Sequence, residues 1–240
     1  MRVILHRTAQ IWKKEEGFSL LLVFLLSALF VVPFLRQWFP GLSSVSLALF
    51  ILLLVTGVLV VSESLLAVLA TSLFAGAAIS LEVVHRITGS DPFALWRIGF
   101  ATATIGLFTV VTLLRVFSPG EVTTHRLVGA VAAYLLVGLT WSYAYEWVDT
   151  AIPGSFSVGA SDPTDVYPPL LYFSFVTLST VGYGDVTPVL PAARALSNLE
   201  SLIGVLYPAV LIGRLLSLQG GGGAPPPPPA DPPPQRGFEA

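Results

Sequence analysis

The run Thr180-Val181-Gly182-Tyr183-Gly184-Asp185 is where residue type and spacing converge on one kind of chemistry. It offers no nucleophile–base pair; what it offers is backbone oxygen. A cation stripped of water needs replacement oxygens, and stacked backbone carbonyls, with the Thr180 hydroxyl below them, can supply these. Pointing successive carbonyls the same way requires alternating left- and right-handed backbone. Gly182 and Gly184 can take the left-handed conformations without a Cβ clash. Tyr183 can turn its ring outward and brace the segment against Tyr172 or Phe173. Asp185 can hydrogen-bond near an outer mouth and raise the local cation concentration.

Composition agrees with chemistry that needs little side-chain charge. Charged residues make up 11% of the 240-residue chain, against about 25% in an ordinary soluble domain. The hydrophobic fraction is 54% and the mean hydropathy +0.80. A soluble fold of this size could not cover so much apolar side chain with so few charges. A soluble enzyme, a nucleic-acid binder and a disordered scaffold are thereby excluded. The net charge of -2 gives no signal for polyanions, so no nucleic-acid partner is expected. Cysteine is absent, which removes disulfides, Cys-based zinc sites and thiol nucleophiles together. There is no Gly-rich phosphate loop, no His-Glu-x-x-His and no Gly-x-Ser-x-Gly. His6, His85 and His125 are scattered near predicted helix ends and read as interfacial polar residues rather than metal ligands. No catalytic residue and no cofactor is expected.

The elements that must position the segment are long and apolar. Arg2, Arg7, Lys13 and Lys14, with Ile4, Leu5, Ile11 and Trp12 on one helical face, predict a short helix on a membrane surface. Six candidate spans follow: 18–35, 42–61, 64–84, 98–117, 127–148 and 192–218. No small-x-small cleavage site follows the first, so a signal peptide is not expected. Only Ser62 and Glu63 separate the second from the third. One helix over both would be about 60 Å long, twice the hydrocarbon thickness, so a tight hairpin is expected. Gly89-Ser90-Asp91-Pro92 and Ser118-Pro119-Gly120 are loop signals. Trp141, Tyr143, Tyr145 and Trp147 close the fifth span and suit a membrane–water interface. Asp149–Val166 reads as a polar loop. Pro168–Ser179 is apolar but too short to span, which predicts a re-entrant or buried helix with its prolines in the first turn. Its negative C-terminal end is expected to aim toward a central cavity. The glycine and proline runs from Gly220 read as a low-complexity tail.

The stretch Tyr172–Asp185 resembles the pore helix and selectivity filter of tetrameric potassium channels. The order span, loop, short helix, filter, bent span matches that family over about 127–218; over 18–117 the resemblance rests on span count. It implies an all-α membrane protein of six transmembrane helices plus a re-entrant pore helix and filter loop. Thr180, Val181, Gly182 and Tyr183 would coordinate K+ together with Gly184, Asp185 would support the filter at its outer mouth, and Tyr172, Phe173 and Thr177 would support it from the pore helix. One chain carries one filter strand, so a homotetramer in the lipid bilayer is implied, with K+ as permeant ion. The last span would line the inner pore through Ser201, Val205, Pro208 and Ile212, which share one helical face. Gly204 aligns with the family's hinge glycine, or it permits close helix packing. Pro208 removes a helix hydrogen bond and should bend the helix. Glu200 sits about 100° from Ser201 on the wheel. That puts it at the flank of the cavity face, within reach of Thr177 or Ser179, and an intramembrane carboxyl is a functional candidate. The expected organisation is an interfacial segment at 1–17, a peripheral membrane domain at 18–117, a pore domain at 125–218 and a tail at 219–240.

The resemblance also implies an orientation. With the filter facing out, both termini are cytoplasmic in a plasma membrane. Eight of the 12 basic residues (Arg2, Arg7, Lys13, Lys14, Arg115, Arg126, Arg214 and Arg236) then lie inside and four (Arg36, Arg86, Arg97 and Arg194) outside, the sign the positive-inside rule requires. A voltage sensor needs several arginines within one span. The fourth span has only Arg97 and Arg115, at its two ends, so voltage gating is not expected. Glu82, Glu146, Arg97 and Arg115 read as snorkelling or paired charges near helix ends. A weakly selective cation channel and an accessory channel subunit are the alternative readings, with Tyr183 arguing against the first.

Overall fold

The computed structural model describes residues 18–39, 65–118, 123–159 and 168–220. The expected surface helix at 1–16, the second span at 42–61, its turn at Ser62 and Glu63, and the tail beyond Gly220 lie outside the described residues. Among the described residues, five helices are long and apolar enough to cross a membrane. The first, α1, contains the apolar span Phe18–Leu35; it has a π-helical turn at Ser27–Val31 and ends in the α-helical stretch Val32–Trp38. The others are α2 (Leu65–Thr88), α3 (Ala94–Val116), α4 (Thr124–Ala151) and α6 (Pro191–Gly220). The short helix α5 is Pro169–Leu178, with proline in its first turn as expected.

One apolar core joins these helices. Leu21, Leu25 and Leu29 of α1 meet Ile105 and Phe108 of α3 and Leu135, Leu136 and Leu139 of α4; Ala75 of α2 and Leu171 of α5 close the same cluster. The peripheral helices therefore pack directly on the helix that precedes the short one. Hydroxyls inside this core are all engaged. Thr102, Thr104, Thr109 and Thr112 of α3 donate to carbonyls four residues earlier at 2.7–2.8 Å. Thr109 and Thr140 also meet at 2.8 Å across the α3–α4 contact. Such back-bonding lets threonine sit where water is absent.

Charges gather at helix ends. Arg97 at the start of α3 bonds Asp91 at 2.7 Å and Glu82 of α2 at 3.0 Å, and Arg86 bonds Glu82 at 2.7 Å. At the other end of α3, Arg126 donates to the Ser118 carbonyl at 3.1 Å. Arg214 of α6 donates to that same carbonyl, with its guanidinium carbon 5.4 Å from the Phe117 ring centroid. The far end of α6 is thereby attached to the α3–α4 connection.

Two features depart from the sequence reading. A two-stranded antiparallel sheet forms, β1 (Phe156–Val158) against β2 (Val186–Pro188), with Phe156 opposite Pro188 and Val158 opposite Val186. It ties the chain after the 180–185 segment to the loop after α4. Tyr145 is not an interfacial aromatic. Its ring is fully buried, 5.2 Å from those of Phe156 and Phe173, because the sheet and α5 cover that end of α4.

Close backbone approach fixes α6 on α5. A Cβ at Gly204 would sit 2.0 Å from the Leu178 carbonyl oxygen, and one at Gly138 of α4 would sit 2.8 Å from the Phe175 ring. A backbone carbonyl cannot swing aside as a side-chain tip can. Gly204→Ala is expected to lower stability by about 1–3 kcal/mol, the usual range for overpacking. Thermal melting in detergent should show a clear fall in Tm; an unchanged Tm would contradict this approach.

Candidate functional site

The segment 179–185 begins where α5 stops. The N–H of Ser179 donates to Phe175 O at 3.0 Å, that of Thr180 to Thr177 O at 3.0 Å and that of Val181 to Val176 O at 2.9 Å, with Gly182 reaching the same oxygen at 3.4 Å. The segment's amides are thus turned back to cap the helix, whose last carbonyls need donors. The Leu178 carbonyl takes the Tyr134 hydroxyl of α4 at 3.1 Å. No hydrogen bond among the described residues ends on the carbonyls of Thr180, Val181, Gly182, Tyr183 or Gly184.

The backbone alternates in hand. Gly182 (φ 59°) and Gly184 (φ 81°) are left-handed, as expected, and so is Thr180 (φ 60°). Among the described residues Thr180 is the one non-glycine with positive φ. A β-branched residue there is strained, and the amide bonds on either side of it to Thr177 and Val176 hold it in place. Left-handed residues at every second position bring successive carbonyls toward one side of the chain. All five residues from Thr180 to Gly184 are exposed in the single chain, Val181 to 52% and Tyr183 to 71%.

Tyr183 lies parallel to Tyr172 of α5, with centroids 6.4 Å apart and planes 3° apart. Phe173, the alternative brace, instead faces the core against Tyr145 and Phe156. Thr177 is half-buried on α5. The Tyr172 hydroxyl holds the Asp185 carboxyl below the usual carboxylate range, and Asp185 in turn pushes the Tyr172 hydroxyl up to about 12. The Asp185 carboxylate also accepts the Val186 N–H at 3.0 Å, so it is oriented at the point where β2 begins.

On α6, Ser201 is half-buried while Val205, Pro208 and Ile212 are exposed in the single chain. They lie on a face left open by α4 and α5. Glu200 does not belong with them. It is 0% exposed, and it bonds neither Thr177 nor Ser179. Ser174 Oγ of α5 lies 2.5 Å from Glu200 Oε1, and the Tyr145 hydroxyl of α4 donates to Oε2. A turn of about 100° on the wheel carries Glu200 past the flank of the open face and into the α4–α5 contact. Sequence reasoning did not single out Ser174, Tyr145 as a partner, Tyr134 or Gly138. The available signal was a carboxyl within an expected span and a serine within the short helix, since a carboxyl at membrane depth seeks polar partners.

Comparison with known proteins agrees with this geometry. The ion-channel family matches residues 131–218. The two pore potassium channel c of Oryza sativa subsp. japonica is 42% identical over 85 residues, 35% of this chain and 17% of that protein. The inward rectifier potassium channel Kirbac3.1 of Paramagnetospirillum magnetotacticum is 36% identical over 81 residues, 32% of this chain and 24% of that protein. This chain therefore spans about a quarter or less of the length of either potassium channel. Protein LctB of Bacillus caldotenax is 31% identical over 121 residues, which cover 48% of this chain and 87% of that protein. The short helix, the capped segment and most of both flanking helices lie inside the region that matches the ion-channel family, and the chain belongs to one family with protein LctB, most of whose length it covers.

Proposed function

We propose that the chain is the subunit of a potassium-selective channel that passes K+ down its gradient without chemical transformation. The carbonyls of Thr180, Val181, Gly182, Tyr183 and Gly184, with the Thr180 hydroxyl, replace the ion's water. The observation that carries this reading is the left-handed backbone at Thr180, Gly182 and Gly184, beside carbonyls that accept nothing within the described chain. Two relatives named as potassium channels, similar to this chain over 85 and 81 residues, support the choice of ion. No cofactor is needed, because K+ is the permeant ion.

A single strand cannot surround an ion, so four copies assemble about a cyclic axis. The exposed apolar residues Leu199, Leu202, Val205, Leu206 and Val210 of α6 supply surface for that assembly and for the inner pore. Ser201, Val205, Pro208 and Ile212 line the cavity, and Gly204 and Pro208 are the places where α6 can bend to gate it. The channel lies in the plasma membrane with both termini cytoplasmic. The fourth expected span, α3, carries Arg97 paired with Glu82 and Asp91 at one end and Arg115 at the other. The channel is therefore not gated by voltage, and in planar bilayers its open probability is expected to vary little between positive and negative potentials. A steep sigmoidal rise would contradict this.

Gly182→Ala places a Cβ on a left-handed residue. It is expected to abolish K+ flux into liposomes while native mass spectrometry still finds the tetramer. Selective flux through this variant would contradict the proposed site.

Asp185 keeps its charge to lower pH than an ordinary carboxylate because the Tyr172 hydroxyl favours the ionised form. Tyr172→Phe removes that hydroxyl, so external acid should begin to reduce K+ current at a higher pH than in the wild-type channel. Coincident pH profiles would contradict the coupling.

A further inference from the structure

Glu200 is the one carboxyl fully enclosed between α4, α5 and α6 among the described residues. Its surroundings can be resolved by counting hydrogens. Ser174 Oγ lies 2.7 Å from Gly138 O and 2.5 Å from Glu200 Oε1. A hydroxyl has one hydrogen. The Gly138 carbonyl has none, so that hydrogen must lie on the Ser174–Gly138 contact for the contact to be a bond. The 2.5 Å contact to Oε1 then needs a hydrogen from the carboxyl itself. Tyr145 donates to Oε2, and the Ser197 hydroxyl of α6 donates to Ala193 O at 2.8 Å.

We infer that Glu200 is held as a neutral carboxylic acid and serves as a positioning residue for the Thr180–Gly184 segment. In that form every hydrogen is used once, in one direction: Tyr145 O–H to Oε2, Oε1–H to Ser174 Oγ, Ser174 O–H to the Gly138 carbonyl. An ionised Glu200 would leave Ser174 one hydrogen for two acceptors. It would also leave a buried charge with no cation to pair it. Tyr134 and Tyr145 of α4 are the titratable groups that face it, Ser174 and Ser197 its other polar neighbours, and no described Arg, Lys or His forms an ion pair with it. An unpaired charge in such a site is far more costly than a proton taken up.

The relay joins three elements at one height. Ser174 is a single helical turn before Leu178, whose carbonyl takes the Tyr134 hydroxyl and abuts Gly204. The Glu200 acid thereby sets where α5 ends, and the segment that caps α5 begins there. The positioning role rests on the proposed conducting role of Thr180–Gly184; the protonation state does not.

Infrared difference spectroscopy between wild-type protein and Glu200→Gln in liposomes at neutral pH reads the proton directly. A carboxylic-acid C=O band in the wild type that the variant lacks is expected; a difference that contains only carboxylate bands would overturn the inference, whether or not the protein conducts. Glutamine reproduces the neutral relay, with its N–H₂ toward Ser174 and its carbonyl toward Tyr145. In K+ flux assays on the assembled channel, Glu200→Gln should stay within about twofold of wild type, whereas Glu200→Ala and Ser174→Ala should fall by about tenfold, the size of one lost buried hydrogen bond. Equal loss in Glu200→Gln and Glu200→Ala, or no loss in Ser174→Ala, would overturn the positioning role.

Discussion

Backbone polar groups at membrane depth must be satisfied by the protein or face a wet cavity, and this constraint organises the second half of the chain. The segment after α5 meets it asymmetrically. Its amides return to the carbonyls of Phe175, Val176 and Thr177, and its own carbonyls are left for another partner. The amide bonds also determine the handedness. Once Thr180 and Val181 both bond back to the same helical turn, the intervening peptide is held in a conformation that a threonine would otherwise avoid. A run of carbonyls that accept no hydrogen bond among the described residues thus follows from the manner in which a ten-residue helix ends.

That ending would be loose without the helices around it. Gly204 allows α6 to approach the Leu178 carbonyl, and Gly138 allows α4 to approach Phe175. Side-chain donors then fill the polar needs of the tight contacts: the Tyr134 hydroxyl to Leu178 O, the Ser174 hydroxyl to Gly138 O, and the Trp141 indole N–H to Leu196 O at 3.2 Å. Small residues supply proximity and hydroxyls supply direction, the usual division of labour between helices in lipid. Next to the sheet, the aromatic trio Tyr145, Phe156 and Phe173 anchors its two strands, with Val186 in the same cluster. The strand that leaves the candidate site is therefore held as firmly as the helix that enters it.

Much of this was legible in the sequence where one local rule dominates. Apolar runs placed α3, α4 and α6 to within a few residues, and a run too short to span marked α5. The glycine spacing foretold the left-handed positions 182 and 184. What escaped depends on neighbours distant in the chain. Thr180 is left-handed because of bonds to a preceding helix, not by its own preference. The strands at 156–158 and 186–188 are three residues each, too short for any periodicity, and their pairing spans the whole of α5. Glu200 was placed correctly on its helix but not against its partners, since a helical wheel gives an angle and not what packs there. Tyr145 at the end of an aromatic-rich span fits an interface or a core equally well, and only the docking of α5 and the sheet decides for the core.

The central claim is that carbonyls of Thr180–Gly184 from several copies of the chain surround a dehydrated cation. Anomalous diffraction from crystals of the assembled protein grown with Rb+ or Tl+ in place of K+ tests it most directly. The account predicts a row of anomalous peaks on the rotation axis, between the levels of the Thr180 hydroxyl and the Tyr183 carbonyl. Ordered Thr180–Gly184 strands around an axis that carries no such peaks would contradict it.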